Sequence, residues 1–234
     1  MDALQRIRLT YSQREELRQA SQREIAAAWA EALGATGIVL AHKDGQHPAA
    51  RIAFAARLPA GATSDCEIAD IETGSRVCDD DLLLLLPPRL PAGLQLLTAR
   101  EVGRDGPSLP ILVRWSEYLL ELLDARSEAD VRQAIEGLLS AETLPWEQVH
   151  EKRTSRYDLR TLMLGLDLEE SKEGTHVIRM RLRHTLERAG RPDQVALALG
   201  FSEPPARLHR TRLFLAQTPA IVQRYREQAA NGGW

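Results

Sequence analysis

The segment 42–48, between the first predicted helix and the next strand, carries several side chains that could do chemistry. It contains Asp44 and His47 within a stretch that also holds a lysine and a second histidine. A carboxylate placed there can act as a nucleophile or general base, and a histidine can carry a proton. The same stretch is also typical of a solvated turn, because Asp-Gly and His-Pro form turns readily. Both interpretations stay open, and Asp44 and His47 are the candidates for catalysis.

Arginines alternate along two predicted strands in the second half of the chain. Arg179 and Arg181 lie on one of these strands, and Arg210 and Arg212 lie on the other. Residues i and i+2 face the same side of a strand, so pairing of the two strands would produce a basic sheet face. RNA-binding sheets use such faces and usually add stacking aromatic residues, which make up only 5% of this chain. The pattern predicts either an RNA-contacting face or an ordinary solvated one.

A further polar group surrounds Asp158 and Arg160, which lie two residues apart on a predicted strand. Arg153 and Arg156 precede them closely, and Arg51 in the first half completes our set of candidate binding residues. Such a group can contact a ligand or an RNA phosphate. It can equally form a cross-strand ion pair that fixes the register of the sheet.

The composition argues against several classes of protein. The net charge is −3, so no global field indicates nucleic acid or a membrane as the partner. The longest apolar stretch, 82–88, is far shorter than the roughly 20 residues that span a bilayer, and the first residues do not resemble a secretory signal. Cys66 and Cys78 are isolated, and no phosphate-binding glycine loop is present. We therefore expect a cytoplasmic protein without a membrane partner, metal or cofactor.

The apolar pattern divides the chain at a turn-rich linker over 103–110. The first half, 1–105, is predicted to run β-α-β-β-α-β, which is the order of a ferredoxin-like sandwich. Its first helix begins at Ser21, with Glu24 at the capping-box position. The predicted strands span 6–11, 51–58, 66–72 and 94–102, and a second helix spans 78–86.

The second half, 106–234, repeats a similar order and ends in a helix over 219–230. Its first strand is predicted over 112–123, although the leucine-rich end is also compatible with a helix. A helix capped by Ser127 follows, and a shorter helix starts at Arg191. The remaining predicted strands span 146–152, 157–168, 175–184 and 208–215. The fold class is thus α+β, with two tandem ferredoxin-like halves and antiparallel sheets.

Nearly the whole chain resembles the radical SAM-linked proteins, whose domain of uncharacterised function occurs beside or fused to radical SAM proteins. The matching stretches are 6–9, 45–54, 58–61, 64–72, 91–102, 157–160, 191–192, 197–200 and 210–215. Two histidine-bearing elements of the family are altered here, at 20–24 and 45–50. The resemblance implies a radical SAM protein as the partner.

We therefore predict a non-catalytic accessory or substrate-binding protein associated with a radical SAM enzyme, with RNA as a candidate ligand. The alternative is an RNA-modifying enzyme that uses Asp44. It rests on an analogy of fold, since tandem ferredoxin-like halves also build one class of pseudouridine synthase. In that class the catalytic aspartate lies in a Gly-Arg-Thr-Asp-x-Gly-Val-His loop. Residues 44–47 occupy a comparable place without the Arg-Thr-Asp triplet.

Overall fold

The computed structural model describes residues 3–42, 49–150, 153–172 and 174–216. These residues form two compact units. The N-terminal unit contains the described residues up to Val113 together with Leu215 and Ala216, and the C-terminal unit runs from Arg114 to Phe214. Both units combine helices with antiparallel strands, so the predicted α+β class is confirmed. The tandem ferredoxin-like arrangement and the boundary at 105/106 remain predictions.

The sheet of the N-terminal unit is antiparallel. Strand β1 lies between β4 and β3, and β2 pairs with β3. Alternate residues of β1, such as Ile7 and Leu9, are fully buried because one face of the strand packs on the core. The predicted strand at 51–58 is shorter than expected. The bounds are β1 (Gln5–Gln13), β2 (Ile52–Phe54), β3 (Ala62–Thr73) and β4 (Leu94–Val102).

Two helices supply the rest of that core. Helix α1 (Gln22–Ala35) begins with the predicted capping box, in which Ser21 and Glu24 exchange side-chain and backbone hydrogen bonds. Trp29 on this helix is fully buried and meets Tyr11 of β1 edge-on, with ring centroids 5.2 Å apart. Helix α2 (Asp79–Leu85) carries three aspartates in its first turn, where they suit the positive end of the helix dipole. A short helix that the sequence did not predict, α3 (Leu109–Leu112), lies against β2.

The C-terminal unit contains strands in the order β10-β5-β9-β8 and a separate β6–β7 hairpin. Strand β9 lies antiparallel to both β5 and β8. The predicted strands at 112–123, 175–184 and 208–215 are confirmed to within two residues. The bounds are β5 (Val113–Leu123), β6 (Pro145–His150), β7 (Arg153–Asp158), β8 (Met163–Lys172), β9 (Thr175–Arg183) and β10 (Arg207–Leu215).

The predicted strand over 157–168 is wrong, because a 3-10 helix at Leu159–Leu162 interrupts it. Asp158 accepts hydrogen bonds from the backbone N–H groups of Arg160 and Leu144, at 2.9 and 2.8 Å. A short polar side chain that binds nearby backbone in this way favours a turn over an extended strand. Asp158 and Arg160 therefore do not share one face of a strand.

The helices of the C-terminal unit follow the predicted start signals. Helix α4 (Glu128–Ser140) has Ser127 as its N-cap, and Asp130 completes a capping box. Helix α5 (Pro192–Ala198) starts with proline at a position that needs no backbone donor. The predicted helix at 219–230 lies outside the described residues. Among the helices that are described, none is long and apolar enough to cross a membrane.

Candidate nucleic-acid interface

The arginines of β9 lie between two acidic strands. In the register of the sheet, Arg179 is opposite Asp167 of β8, and Arg181 is opposite Glu117 of β5. The predicted alternation along β9 is confirmed. The sequence alone could not predict which acidic side chains the neighbouring strands place beside these arginines. Those acids determine how much of the arginines' positive charge remains available to bind a phosphate.

Arg179 is held by two carboxylates. Its Nε donates to Glu169 Oε1 at 2.7 Å, and its Nη1 donates to Glu117 Oε1 at 3.1 Å. The hydrogen bond with Glu169 raises the pKa of Arg179 and lowers the pKa of the Glu169 carboxyl. The Glu117 side chain is only 7% exposed. Arg179 therefore links neighbouring strands of the sheet, and its charge is largely neutralised and little available to a phosphate.

Arg212 and Arg181 are paired more loosely. Arg212 Nε lies 3.7 Å from Glu117 Oε1, and its side chain is 71% exposed. Arg181 Nη2 lies 3.8 Å from Asp167 Oδ2, with both side chains about half exposed. Exposed pairs of this kind contribute at most about 1 kcal/mol, so either guanidinium can exchange its carboxylate for another anion.

A glycine in β8 sets the position of the Arg181 side chain. A Cβ built on Gly165 would lie 2.7 Å from Arg181 Nη2. The guanidinium therefore rests over the strand backbone, and a side chain at position 165 would displace this flexible arginine end.

Two aromatic rings stack next to these arginines. Trp115 of β5 and Phe214 of β10 lie nearly parallel, with ring centroids 5.2 Å apart and an interplanar angle of 8°. The Phe214 side chain is 47% exposed. Trp115 is opposite Arg183 in the register, and within the described ranges Arg183 has no carboxylate at ion-pair distance. We call Trp115, Phe214, Arg181, Arg183 and Arg212 the aromatic–arginine surface.

Arg210 and Arg212 do not form one exposed basic face, because they differ in burial. Arg210 is fully buried and donates from Nε and Nη2 to the Tyr118 hydroxyl, at 3.2 and 2.9 Å. Arg212 instead reaches toward solvent, with its Nε 3.7 Å from Glu117 Oε1. Of the two predicted binding arginines of β10, only Arg212 is exposed.

A buried polar network continues from Tyr118. The Ser116 hydroxyl lies 3.3 Å from the Tyr118 hydroxyl and forms a 2.7 Å hydrogen bond with His184 Nε2. Burial, and then the positive charge of Arg210, lowers the pKa of His184 to about 4. The imidazole is therefore neutral at physiological pH.

The other predicted residues of this unit make contacts within the fold. Arg160 donates to the Leu139 carbonyl from Nε and Nη2, at 3.2 and 2.8 Å, and to the Met163 carbonyl at 3.0 Å. Arg156 pairs with Glu147 across the β6–β7 hairpin at 2.6 Å, although its side chain is largely exposed. Arg153 is opposite His150 in the same hairpin. Arg160 thus joins the end of α4 to the start of β8.

The remaining candidates lie in or near the segment 42–48. Asp44 and His47 fall outside the described residues, so the enzyme interpretation that depends on them stays a prediction. Arg51, which follows this segment, donates from Nε to the His42 carbonyl and from Nη1 to Glu72 Oε2, at 3.1 Å in both cases. Across the described ranges, no cluster of three or more histidine, cysteine or acidic side chains could hold a metal ion.

Residues 6–192 match the profile of a family described as an uncharacterized protein conserved in bacteria (DUF2344). The chain belongs to this family. The description of DUF2344 mentions no radical SAM protein, so that association stays a prediction. None of the curated proteins matches the chain.

Among the solved structures that match the chain are three H/ACA ribonucleoprotein or Cbf5-Nop10 complexes. The archaeal box H/ACA sRNP Nop10-Cbf5 complex has 14% identity and a TM-score of 0.47, covering 98% of this chain and 57% of that one. A Cbf5-Nop10-Gar1 complex has 12% identity and a TM-score of 0.49, covering 97% and 56%. An H/ACA RNP bound to a substrate RNA containing 2'-deoxyuridine has 12% identity and a TM-score of 0.44, covering 95% and 55%. This member of DUF2344 spans a little over half the length of each.

Proposed function

We propose that this protein is a non-catalytic accessory protein that binds single-stranded RNA through the aromatic–arginine surface and serves a radical SAM enzyme. The observation that carries the RNA part is the parallel Trp115–Phe214 pair beside Arg183 and Arg212, in which Phe214 is 47% exposed. Parallel rings next to cations on a sheet are the arrangement on which single-stranded nucleic acids stack.

The aromatic pair supplies a platform for a base. Phe214 is 47% exposed, and Trp115 stacked on it holds the ring in one orientation. A base stacked on such a ring contributes about 1–3 kcal/mol whatever its identity, because every base has a π-face. We therefore expect RNA binding with little sequence preference.

The arginines supply the contacts to phosphates. Arg183 has no ion-pair partner among the described carboxylates, and the partners of Arg181 and Arg212 are 3.8 and 3.7 Å away. An RNA phosphate can replace these weak pairs and form bidentate hydrogen bonds with a guanidinium. Arg179 does not join them, since Glu169 and Glu117 already neutralise it. The binding surface is consequently short and suits only a few nucleotides.

The accessory role and the radical SAM partner rest on the sequence resemblance to radical SAM-linked proteins. An RNA-binding surface gives that association a purpose, because a partner enzyme could receive its substrate from this chain. Co-purification from the native host, with mass spectrometry of the captured proteins, tests the partner. Recovery of a radical SAM protein supports the association, and its absence under low-salt conditions contradicts it.

The RNA surface is tested by fluorescence anisotropy with a short labelled oligouridine. Phe214→Ala should weaken binding by about 5- to 100-fold, in line with one lost stacking contact. The double variant Arg183→Glu/Arg212→Glu should weaken it further and flatten its salt dependence, because two phosphate contacts are lost. Arg132→Glu is the matched control, since Arg132 is an exposed, ion-paired arginine on α4.

The outcomes separate clearly. Normal binding by Arg132→Glu together with loss in the other variants supports the proposed surface. The proposed RNA surface is wrong if the wild-type protein has no affinity for oligouridine, or if the double variant binds as well as the wild type. Circular dichroism of each variant verifies that the fold is intact.

A further inference from the structure

The N-terminal unit contains a cavity of about 330 Å³ that the proposed RNA surface does not use. Its wall combines two arginines, Arg6 and Arg51, with two acids, Asp70 and Glu72. Ile52 of β2 and Leu109 of α3 provide apolar wall. A volume of this size falls within the range of small-molecule sites, which are mostly apolar with a few placed polar groups.

One oppositely charged pair in the wall is open to an incoming molecule. Arg51 Nη1 lies 3.1 Å from Glu72 Oε2, and each side chain is about one third exposed, at 34% and 32%. Arg51 is also oriented from behind, because its Nε donates to the His42 carbonyl. The guanidinium and the carboxylate are therefore held side by side with part of each facing the cavity.

The second pair lies deeper. Asp70 is 3% exposed and accepts two hydrogen bonds from Arg8, at 2.7 and 2.9 Å. Arg6 donates from Nη2 to the Gly103 carbonyl, while its Nε lies 3.9 Å from Asp70 Oδ2. Arg6 Nε is enclosed and has no hydrogen-bond partner in the part of the chain that the structure describes. The polar wall is thus incompletely satisfied on its arginine side.

We propose that this cavity binds a small zwitterion of the α-amino acid type with an apolar side chain. The carboxylate would lie against the guanidinium groups of Arg51 and Arg6, and the ammonium group against Glu72. The side chain would pack on Ile52 and Leu109. This inference is independent of the proposed RNA function.

The charge balance of the wall selects this class of ligand. Asp70 is already held by Arg8, so Glu72 is the acid that a ligand would meet beside Arg51 and Arg6. A polyanion such as a nucleoside triphosphate would lie against this carboxylate. A purely cationic ligand would meet two guanidinium groups in the same way. A molecule that carries a negative and a positive charge a few ångströms apart can pair with the guanidinium groups and with the carboxylate at once. Charge-assisted hydrogen bonds stabilise both contacts.

Isothermal titration calorimetry with L-leucine tests the proposal, and two truncated probes sharpen it. Isocaproate lacks the ammonium group and isoamylamine lacks the carboxylate, so both should bind at least about tenfold more weakly than leucine. Arg51→Gln and Glu72→Gln should each weaken leucine binding by a similar factor. The matched controls are Arg18→Gln and Glu15→Gln, which remove the charges of an exposed ion pair outside the cavity.

A variant that leaves every charge in place guards against misfolding of the charge variants. Ala53 is exposed on β2 and lies in the cavity wall, so Ala53→Trp should fill the cavity and abolish leucine binding. Tryptophan suits a strand, and thermal unfolding of this variant should match the wild type. Absence of leucine binding by the wild type overturns the proposal, as does binding that Ala53→Trp leaves unchanged or that isocaproate and isoamylamine reproduce.

Discussion

His184 should make the stability of this protein sensitive to mild acid. Its imidazole is largely buried against Ser116 and near the Arg210 guanidinium, and its pKa is lowered from 6.5 to about 4. The unfolded chain has a histidine of ordinary pKa, near 6.5. As the pH falls below that value, the histidine is protonated in the unfolded chain but stays neutral in the folded protein.

The sign and size of the effect follow from this difference in pKa. Stability is fully present above about pH 6.5 and declines as the pH falls toward 4, because the unfolded state binds more protons in that window. Between pH 8 and pH 5 the loss is about 2 kcal/mol, and the complete loss is about 3 kcal/mol. A loss of 2 kcal/mol is a large fraction of the stability of a typical domain.

Urea titrations of the wild type and of His184→Gln at pH 8 and pH 5 measure this loss. Glutamine cannot be protonated, so the wild type should lose about 2 kcal/mol more than the variant over this range. Carboxyl groups that titrate near pH 5 affect both proteins equally and cancel in the comparison. Parallel pH profiles for the two proteins would refute the assignment of a buried, neutral His184.

Three further substitutions test packing and capping. Gly190→Ala should destabilise the fold by about 1–3 kcal/mol in urea titrations, because the new Cβ would lie 2.8 Å from Leu182 Cβ. Gly137→Ala, on an exposed and open position of α4, should instead stabilise it by about 0.5–1 kcal/mol, and equal effects at the two glycines would contradict the packing. Ser127→Ala should cost about 1 kcal/mol through loss of the N-cap of α4, with unchanged thermal unfolding as the contrary result.

Local signals in the sequence were sufficient to predict much of the secondary structure. The capping residues Ser21 and Ser127 mark the starts of α1 and α4, because a serine hydroxyl satisfies backbone donors within its own first turn. The alternation in 175–184 predicts β9, because one face of that strand is buried. Such features depend only on neighbours in the chain.

Features that depend on distant partners were not predictable. The continuous strand expected over 157–168 fails because Asp158 binds the backbone of Leu144, fourteen residues earlier in the chain. The role of Arg179 depends on which carboxylates the register of the sheet brings beside it. The stacking of Trp115 on Phe214 likewise requires β5 and β10 to meet, and an aromatic content of 5% gave no hint of it.

The position of β5 between β9 and β10 has a consequence for how this chain is made. Synthesis on the ribosome delivers β5 long before β10, whose first residue is Arg207. Until that last described strand emerges, β5 presents a row of unpaired backbone groups to its surroundings, and such an edge invites pairing with other chains. A message that stops before Arg207 should therefore yield an aggregating product, even though most of the C-terminal unit has already been translated.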